Sequence, residues 1–336
     1  MQILIIGGTR FLGYHLTRSL LDKGMQVTLF NRGVTPDDFG KRVDRIYGER
    51  RDYRRFYDTL HSRRFDAVID LIGYEPQDVE TAERTFHDRT GQYIFISTGQ
   101  VYLVTENKHL PSREEDYHQP LIPCPPGEEA AYEYGIKKRQ MEDYLQAAFR
   151  SRRFPCVRFR CPIIQGPRDY TLRFYSYLLR LADGHPLIIP EGGDAIIRHI
   201  FVEDVVNAIL QVLGRENSRG KVYNLAQQPV LTLSRFIELA AGIMNTPAGT
   251  VTVPRRKLEE NGIPGVISPF SGKWVSYIDP SLAREEIGFR DTPLEEWMPE
   301  TIRWFMEEYE GEPPENFRFR TREIALIDSL SSKEPA

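Results

Sequence analysis

No apolar run in this sequence approaches the roughly twenty residues that a membrane-spanning helix needs, and the mean hydropathy is -0.44. Cysteine is scarce: Cys124, Cys156 and Cys161 are all there is in 336 residues. An odd number without CxxC spacing argues against a disulfide framework or a zinc site, and no metal ligand set is expected. It points instead to a reducing, cytoplasmic setting. Charge of one sign is not in excess either. The net charge is -4 and the pI about 6.1, which disfavours nucleic acid as a partner. Basic pairs such as Lys41-Arg42 and Arg50-Arg51 read as solvated surface. The first residues lack the basic head and cleavage site of a secretory signal, so no targeting segment is expected.

What is present is an alternation. QILIIG (2–7), MQVTLFN (25–31), RVDRIYG (42–48), FDAVIDLIG (65–73) and QYIFIST (92–98) read as strands. Helical stripes at 11–24, 52–62 and 77–87 lie between them. Strands separated by helices pair in parallel through right-handed crossovers, which makes an α/β doubly wound, Rossmann-type sheet. After Tyr102 the regularity breaks. A Pro-, Glu- and Asp-rich loop (103–128) precedes a long helix at 129–150 and the strand CVRFRC (156–161). Helices at 171–183, 203–213 and 232–243 follow, with the strands PLIIP and KVYNLA. Residues 1–166 are therefore assigned to a dinucleotide-binding domain, to which later segments can return. Residues 167–312 form a smaller substrate lobe and 313–336 a polar, loosely attached tail.

The first strand runs into GGTRFLG (7–13) and then a helix. A strand, a glycine-rich turn and a helix N-terminus together make a seat for a dinucleotide pyrophosphate. Gly7 serves the turn, and Gly13 lets the helix pack on the sheet. The second strand ends Asn31-Arg32-Gly33, without the carboxylate that would hold the adenosine ribose hydroxyl of NAD. Arginine at this place pairs with a 2′-phosphate. Arg10 and Arg32 are thus expected to clamp NADP, and Asn31 leaves NAD as the alternative.

Two further pieces carry chemistry. In AAYEYGIKK (130–138), Tyr134 and Lys138 stand four residues apart and share a helix face. An ammonium beside a phenol favours the phenolate and suits it to acid/base work. Tyr132 has no lysine at that spacing. FISTGQVY (95–102) places Thr98 at the carboxyl edge of its strand, where its hydroxyl could hold the oxygen that Tyr134 deprotonates.

In this order the segments resemble the extended short-chain dehydrogenase/reductases, the NAD-dependent epimerase/dehydratase family. The likeness runs over about residues 1–305. It includes VIDLIGY (68–74), STGQVY (97–102), YGIKK (134–138), FRCPIIQGPRD (159–169), RHIFVEDVVNAI (198–209), KVYNLA (221–226) and IDPSLAREEIGF (278–289). The resemblance implies Thr98, Tyr134 and Lys138 as the catalytic set. It implies Gly7, Gly8, Thr9, Arg10, Phe11, Leu12 and Gly13 around the pyrophosphate, and Glu49 or Arg50 of GERRD at the adenine. Leu71, Ile72 and Gly73 would flank the cofactor, and Cys161, Pro162 and Ile164 would lie near the nicotinamide. It also implies a homodimer built through the 129–150 helix.

Three departures narrow the reading. The middle glycine of the family's GxxGxxG turn is Arg10. GGTRFLG resembles an atypical branch that includes bacterial sugar-epimerase-like proteins and chloroplast stem-loop RNA-binding proteins. The Asp-Glu pair of the 4,6-dehydratases is here Gly99-Gln100, which argues against water elimination. Beyond Gly192-Gly193, Arg198 stands where the family has aspartate, so Arg168 shares the candidacy for the substrate phosphates. The expected activity is nucleotide-sugar epimerisation by hydride transfer at a carbinol carbon. NADPH-dependent reduction of a nucleotide sugar or small carbonyl is the first alternative, and RNA binding on the same fold the second. A sensor that binds NADP without chemistry is disfavoured by the intact Thr98, Tyr134 and Lys138.

Overall fold

The computed structural model describes residues 1–106, 109–228, 230–272 and 274–331. In chain order the first half runs β1 (Gln2–Ile6), α1 (Leu12–Asp22), β2 (Gln26–Asn31), β3 (Asp44–Tyr47), α2 (Tyr53–Leu60), β4 (Ala67–Asp70), α3 (Pro76–Phe86), β5 (Tyr93–Thr98), α4 (Gln100–Leu103), α5 (Glu129–Arg152) and β6 (Cys156–Cys161). Then come β7 (Ile163–Gln165), α6 (Arg173–Ala182), β8 (Leu187–Pro190), β9 (Ile196–Ile197), β10 (His199–Phe201), α7 (Val202–Val212) and β11 (Val222–Asn224). The remainder is β12 (Leu231–Thr232), α8 (Leu233–Met244), β13 (Thr250–Val253), α9 (Arg255–Glu260), α10 (Ser281–Ile287), α11 (Leu294–Arg303) and α12 (Arg320–Ser331).

Seven strands form one sheet in the order β11-β6-β5-β4-β1-β2-β3, and every pairing in it is parallel. Its central strands are buried except at Gln2 and Thr98, as their near-continuous apolar runs require. Leu4, Ile6, Val68 and Phe95 of the sheet pack with Phe56, Phe86 and Leu145 of the helices. Strand order reverses between β1 and β4, so the carboxyl ends of these two strands flank the crevice where such sheets take ligands.

Residues 1–164, 199–227 and 276–291 form one compact unit; 165–198, 228–275 and the chain from 292 form the other. A single break at 166 would leave β6 as an open edge. The chain returns instead with β11, which pairs along Arg158–Arg160 and removes that unpaired row of backbone groups. α7 returns with it and packs on α1. IDPSLAREEIGF, read as a C-terminal helix and loop, comes back to the same unit as α10 against β11.

The smaller unit carries the clearest correction. Residues 313–331, expected as part of a loosely attached tail, are packed onto this unit. α12 buries Leu326 and Ile327 in a cluster with Ile188, Val253 and Leu258. The polarity that suggested a tail is internal: Glu323 is fully buried, and both its oxygens accept from Arg180, at 2.6 and 2.9 Å. Arg320 forms a two-pronged pair with Asp183 at 2.6 and 2.8 Å. Composition reads this stretch as solvated because it cannot show that each charge meets its opposite. Removing one partner of a buried pair strands the other, at a cost of about 3–5 kcal/mol. Glu323→Ala should therefore lower stability by about that amount in chemical denaturation, and a loss below about 1 kcal/mol would contradict the buried pairing.

Candidate functional site

β1 ends under the glycine turn. Gly7 has φ +98, and a side chain on Gly13 would put its Cβ 2.2 Å from the Gly7 carbonyl oxygen. Only a backbone without a Cβ fits so close an approach. α1 then begins with no side-chain cap and no acidic residue in its first turn, so the positive end of its dipole meets no carboxylate of that turn; of its first amides, the Gly13 N–H donates to the Arg10 carbonyl at 2.9 Å. Phe11, at φ 43, makes the bend into the helix, and Arg10 is exposed beside it. At the end of β2 the Asn31 Oδ1 accepts from the Gly33 N–H at 2.9 Å. That bond fixes the amide, and its buried Nδ2 has no partner among the described residues. A glycine cradle, an uncapped helix end and an orphaned donor fit the pyrophosphate and ribose of a dinucleotide. Gly7, Gly8, Gly13 and Asn31 would hold it. Arg32 is exposed and lies 3.9 Å from Glu49, itself exposed, a weak pair that a ligand phosphate could displace.

The second part of the site hangs on α5. A Cβ at Gly135 would lie 2.7 Å from Val104 Cγ1 and 3.0 Å from the Gln100 carbonyl. The glycine thus lets α5 close on the turn that follows Thr98. Thr98 is half-buried at the end of β5, in register with Cys161, and its Oγ1 accepts from the Gln100 N–H at 3.3 Å. One helical turn beyond Tyr134, Lys138 is 4% exposed. Its Nζ donates to the carbonyls of Gly73 at 2.8 Å and Ile96 at 2.9 Å, which leaves one of its three donors for a ligand. The ammonium lies 5.8 Å from the ring centre of Tyr134, 5.5 Å from Tyr74 and 4.7 Å from Phe95. Burial among these rings pulls its pKa down from 10.5 to about 8.

The other expected positions divide. Ile72 touches the turn, because a Cβ on Gly7 would lie 2.7 Å from its Cγ2, and Gly73 holds Lys138. Cys161 is buried, and burial pushes its thiol up to about 12, so it serves as packing. Pro162 and Ile164 are half-buried. Arg50 is corrected: it is 4% exposed, paired with Asp70 at 2.9 Å and bonded to the Asp78 carbonyl at 2.6 Å. It lies over the Phe56 ring, so it belongs to the core and leaves Glu49 as the adenine candidate. Arg198 is buried and Arg168 exposed.

Sequence reading misses the charges behind the site. Glu142 and Arg160 form a buried pair at 2.7 Å. The Ser97 hydroxyl donates to Glu142, and the Tyr102 hydroxyl donates to Asn224 at 2.9 Å. Glu142 stands four residues past Lys138, on the same helical face; that spacing was the available signal.

Residues 3–226 match the NAD dependent epimerase/dehydratase family. This chain belongs to that family. The fold agrees: the chain is similar to a UDP-glucose 4-epimerase of Thermotoga maritima solved with UDP-glucose, at TM-score 0.74 and 21% identity, over 91% of this chain and 99% of that one. It is also similar to the Thermus thermophilus UDP-glucose 4-epimerase solved with NAD, at TM-score 0.71 and 18% identity, covering 92% and 100%. Among characterised sequences, a chloroplast stem-loop binding protein of 41 kDa from Arabidopsis thaliana is 31% identical over 71% of this chain. The match spans 62% of that protein's length. No helix among the described residues is long and apolar enough to cross a membrane.

The buried Lys138 has a measurable signature. Its pKa is lower folded than unfolded, so burial of the charged form costs stability below about pH 8. That cost fades as pH climbs from about 8 toward 10.5. Relative to Lys138→Met, the wild type should gain about 3 kcal/mol across that window in paired denaturation curves. A difference that stays flat with pH would contradict the buried ammonium.

Proposed function

We propose that this chain is an NAD(P)-dependent nucleotide-sugar epimerase with Tyr134 as its acid/base group. The observation that carries the reading is Lys138: a buried ammonium held by the carbonyls of Gly73 and Ile96, one helical turn from Tyr134. Tyr134 would take the proton from a sugar hydroxyl. Thr98 would steady the same oxygen with its own hydroxyl, and Lys138 would use its remaining donor on the cofactor ribose while its charge favours the phenolate. Bound cofactor supplies a nicotinamide carbon that accepts and returns hydride. Tyr134 would give the proton back once the oxidised sugar has presented its other face.

For the cofactor we favour NADP. The end of β2 offers the Asn31 donor and the Arg32 cation and no carboxylate, a set that accepts a 2′-phosphate. Arg32→Ala should reduce preference for NADP over NAD by about tenfold, the scale of one exposed charged contact, in titrations of both dinucleotides; an unchanged preference would remove Arg32 from the clamp. We also read the half-buried Ala131, Tyr132 and Ile136 of α5 as a homodimer contact.

Two other readings have support of their own. A 2'-dehydrokanamycin reductase of Streptomyces kanamyceticus is 22% identical over 76% of this chain, which favours net reduction. Cofactor that leaves oxidised after each turnover would select that reading. The Arabidopsis relative's name favours RNA binding, and the net charge of -4 opposes it; a salt-dependent shift of a stem-loop RNA would select it.

The test of the main reading is a screen of UDP- and dTDP-sugars for solvent-independent inversion at one carbon. Tyr134→Phe should lower kcat by about 10²–10⁴-fold, the contribution of a positioned acid/base group. It should leave dinucleotide affinity within about twofold. Retained turnover would remove Tyr134 from its role.

A further inference from the structure

One motif of the sequence has no part in the proposed reaction: GERRD (48–52), whose Arg50 lies inside the larger unit. Its guanidinium sits 4.2 Å from the centre of the Phe56 ring. One nitrogen, Nη2, donates twice: to Asp70 Oδ2 at 2.9 Å and to the Asp78 carbonyl at 2.6 Å. Asp70 ends β4, and Asp78 lies in the first turn of α3. A single guanidinium thus clamps both ends of the loop that joins them, 71–75.

The same two residues shape the loop from within. Asp70 Oδ1 accepts from the Ile72 N–H at 3.2 Å. Asp78 Oδ2 accepts from the N–H groups of Tyr74 at 2.8 Å and Glu75 at 2.9 Å. What the loop touches makes its shape matter. Ile72 packs against the glycine turn, where a Cβ on Gly7 would lie 2.7 Å from its Cγ2. Two successive lysines of α5 bond to the loop: Lys138 Nζ donates to the Gly73 carbonyl at 2.8 Å, and Lys137 Nζ to Glu75 Oε1 at 2.9 Å. One short loop therefore meets both the candidate dinucleotide seat and the helix that carries Tyr134 and Lys138.

Asp70 also brings charge. Its carboxylate is fully buried, and Oδ2 takes a second donor, the Tyr93 hydroxyl, at 2.8 Å. An asparagine could accept the Ile72 N–H equally well; what it lacks is the negative charge. Burial drives Lys138 toward its neutral form, and Asp70 is the strongest of the groups that oppose this, ahead of Glu142 on α5, Cys161 on β6 and Asp78 on α3. The rings of Phe95, Tyr74 and Tyr134 lie beside the same ammonium at 4.7, 5.5 and 5.8 Å. We infer that Asp70, clamped by Arg50, is a positioning residue: it holds the loop 71–75 in the shape that supports the glycine turn and presents the Gly73 carbonyl to Lys138, and it supplies that lysine with a counter-charge. Asp70 acts on the chemistry only through Lys138, so this role rests on the one proposed for that lysine. It gives the buried arginine of GERRD a task that requires no contact with the cofactor.

The experiment is calorimetric titration of the full chain with NAD and with NADP, joined to denaturation curves across pH with and without Lys138→Met. Arg50→Met should weaken both dinucleotides alike by about tenfold, the scale of one hydrogen-bonded charge, and Arg50→Lys should restore most of that loss. Asp70→Asn together with Arg50→Met removes both charges and strands neither, so it keeps a test if Arg50→Met alone does not fold. In that double variant the stability gain over its Lys138→Met partner should begin at least about one unit below pH 8, because Lys138 has lost an opposite charge. A loss of packing alone would leave that onset in place. Unchanged dinucleotide affinity in Arg50→Met, a loss confined to NADP, no recovery in Arg50→Lys, or an unmoved onset in the double variant would each overturn the proposal. No turnover enters these readouts, so they stand apart from Tyr134→Phe, which tests the acid/base reading by itself.

Discussion

A lysine ammonium with its charge almost wholly out of water is the constraint around which the larger unit is arranged. Such a charge is tolerated only when its donors are satisfied. Here the Gly73 carbonyl, in the loop after β4, and the Ile96 carbonyl, on β5, accept from it. Those two bonds pin α5 to the carboxyl edge of the sheet. They also fix the height of Tyr134 on the helix relative to Thr98 on the strand. Burial beside the Tyr74, Phe95 and Tyr134 rings keeps water off the ammonium and lowers its pKa to about 8, an electrostatic cost stored in the fold.

Around that point the structure repeatedly spends glycine on proximity. Gly13 brings α1 onto Gly7, and Gly135 brings α5 onto the turn at Gln100. In each case the missing Cβ lets a helix close on the turn after a strand, so that the candidate cofactor seat and the proposed acid/base pair both rest on close backbone approach. The buried pairs Glu142–Arg160 and Arg50–Asp70 stand beneath the same strands. They fix the core under the site without offering charge to a ligand.

The smaller unit follows a different logic. Its sheets are two-stranded, and buried ion pairs join its C-terminal helix to α6 and the turn after it. Paired charges demand specific geometry where apolar packing would tolerate slippage. That precision gives the segment ahead of α12 a defined position, with the Asn316 Nδ2 donating to the Val266 carbonyl at 2.8 Å.

Much of this was legible in the residues. The alternation of apolar strands and striped helices decided the parallel sheet, because periodicity records burial directly. GGTRFLG decided the turn, and the four-residue step from Tyr134 to Lys138 decided that the two share a face. What the residues could not decide was which charges are buried. Arg50 reads as surface beside Arg51, and 313–336 reads as a polar tail, because composition registers a charge and not its partner. Asp70 meets Arg50, and Glu323 meets Arg180, only after strands and helices far apart in sequence have been brought together. The return of β11 to the edge of β6 is of the same kind: a strand of three residues carries little periodicity, and its place is set by the unpaired backbone it covers.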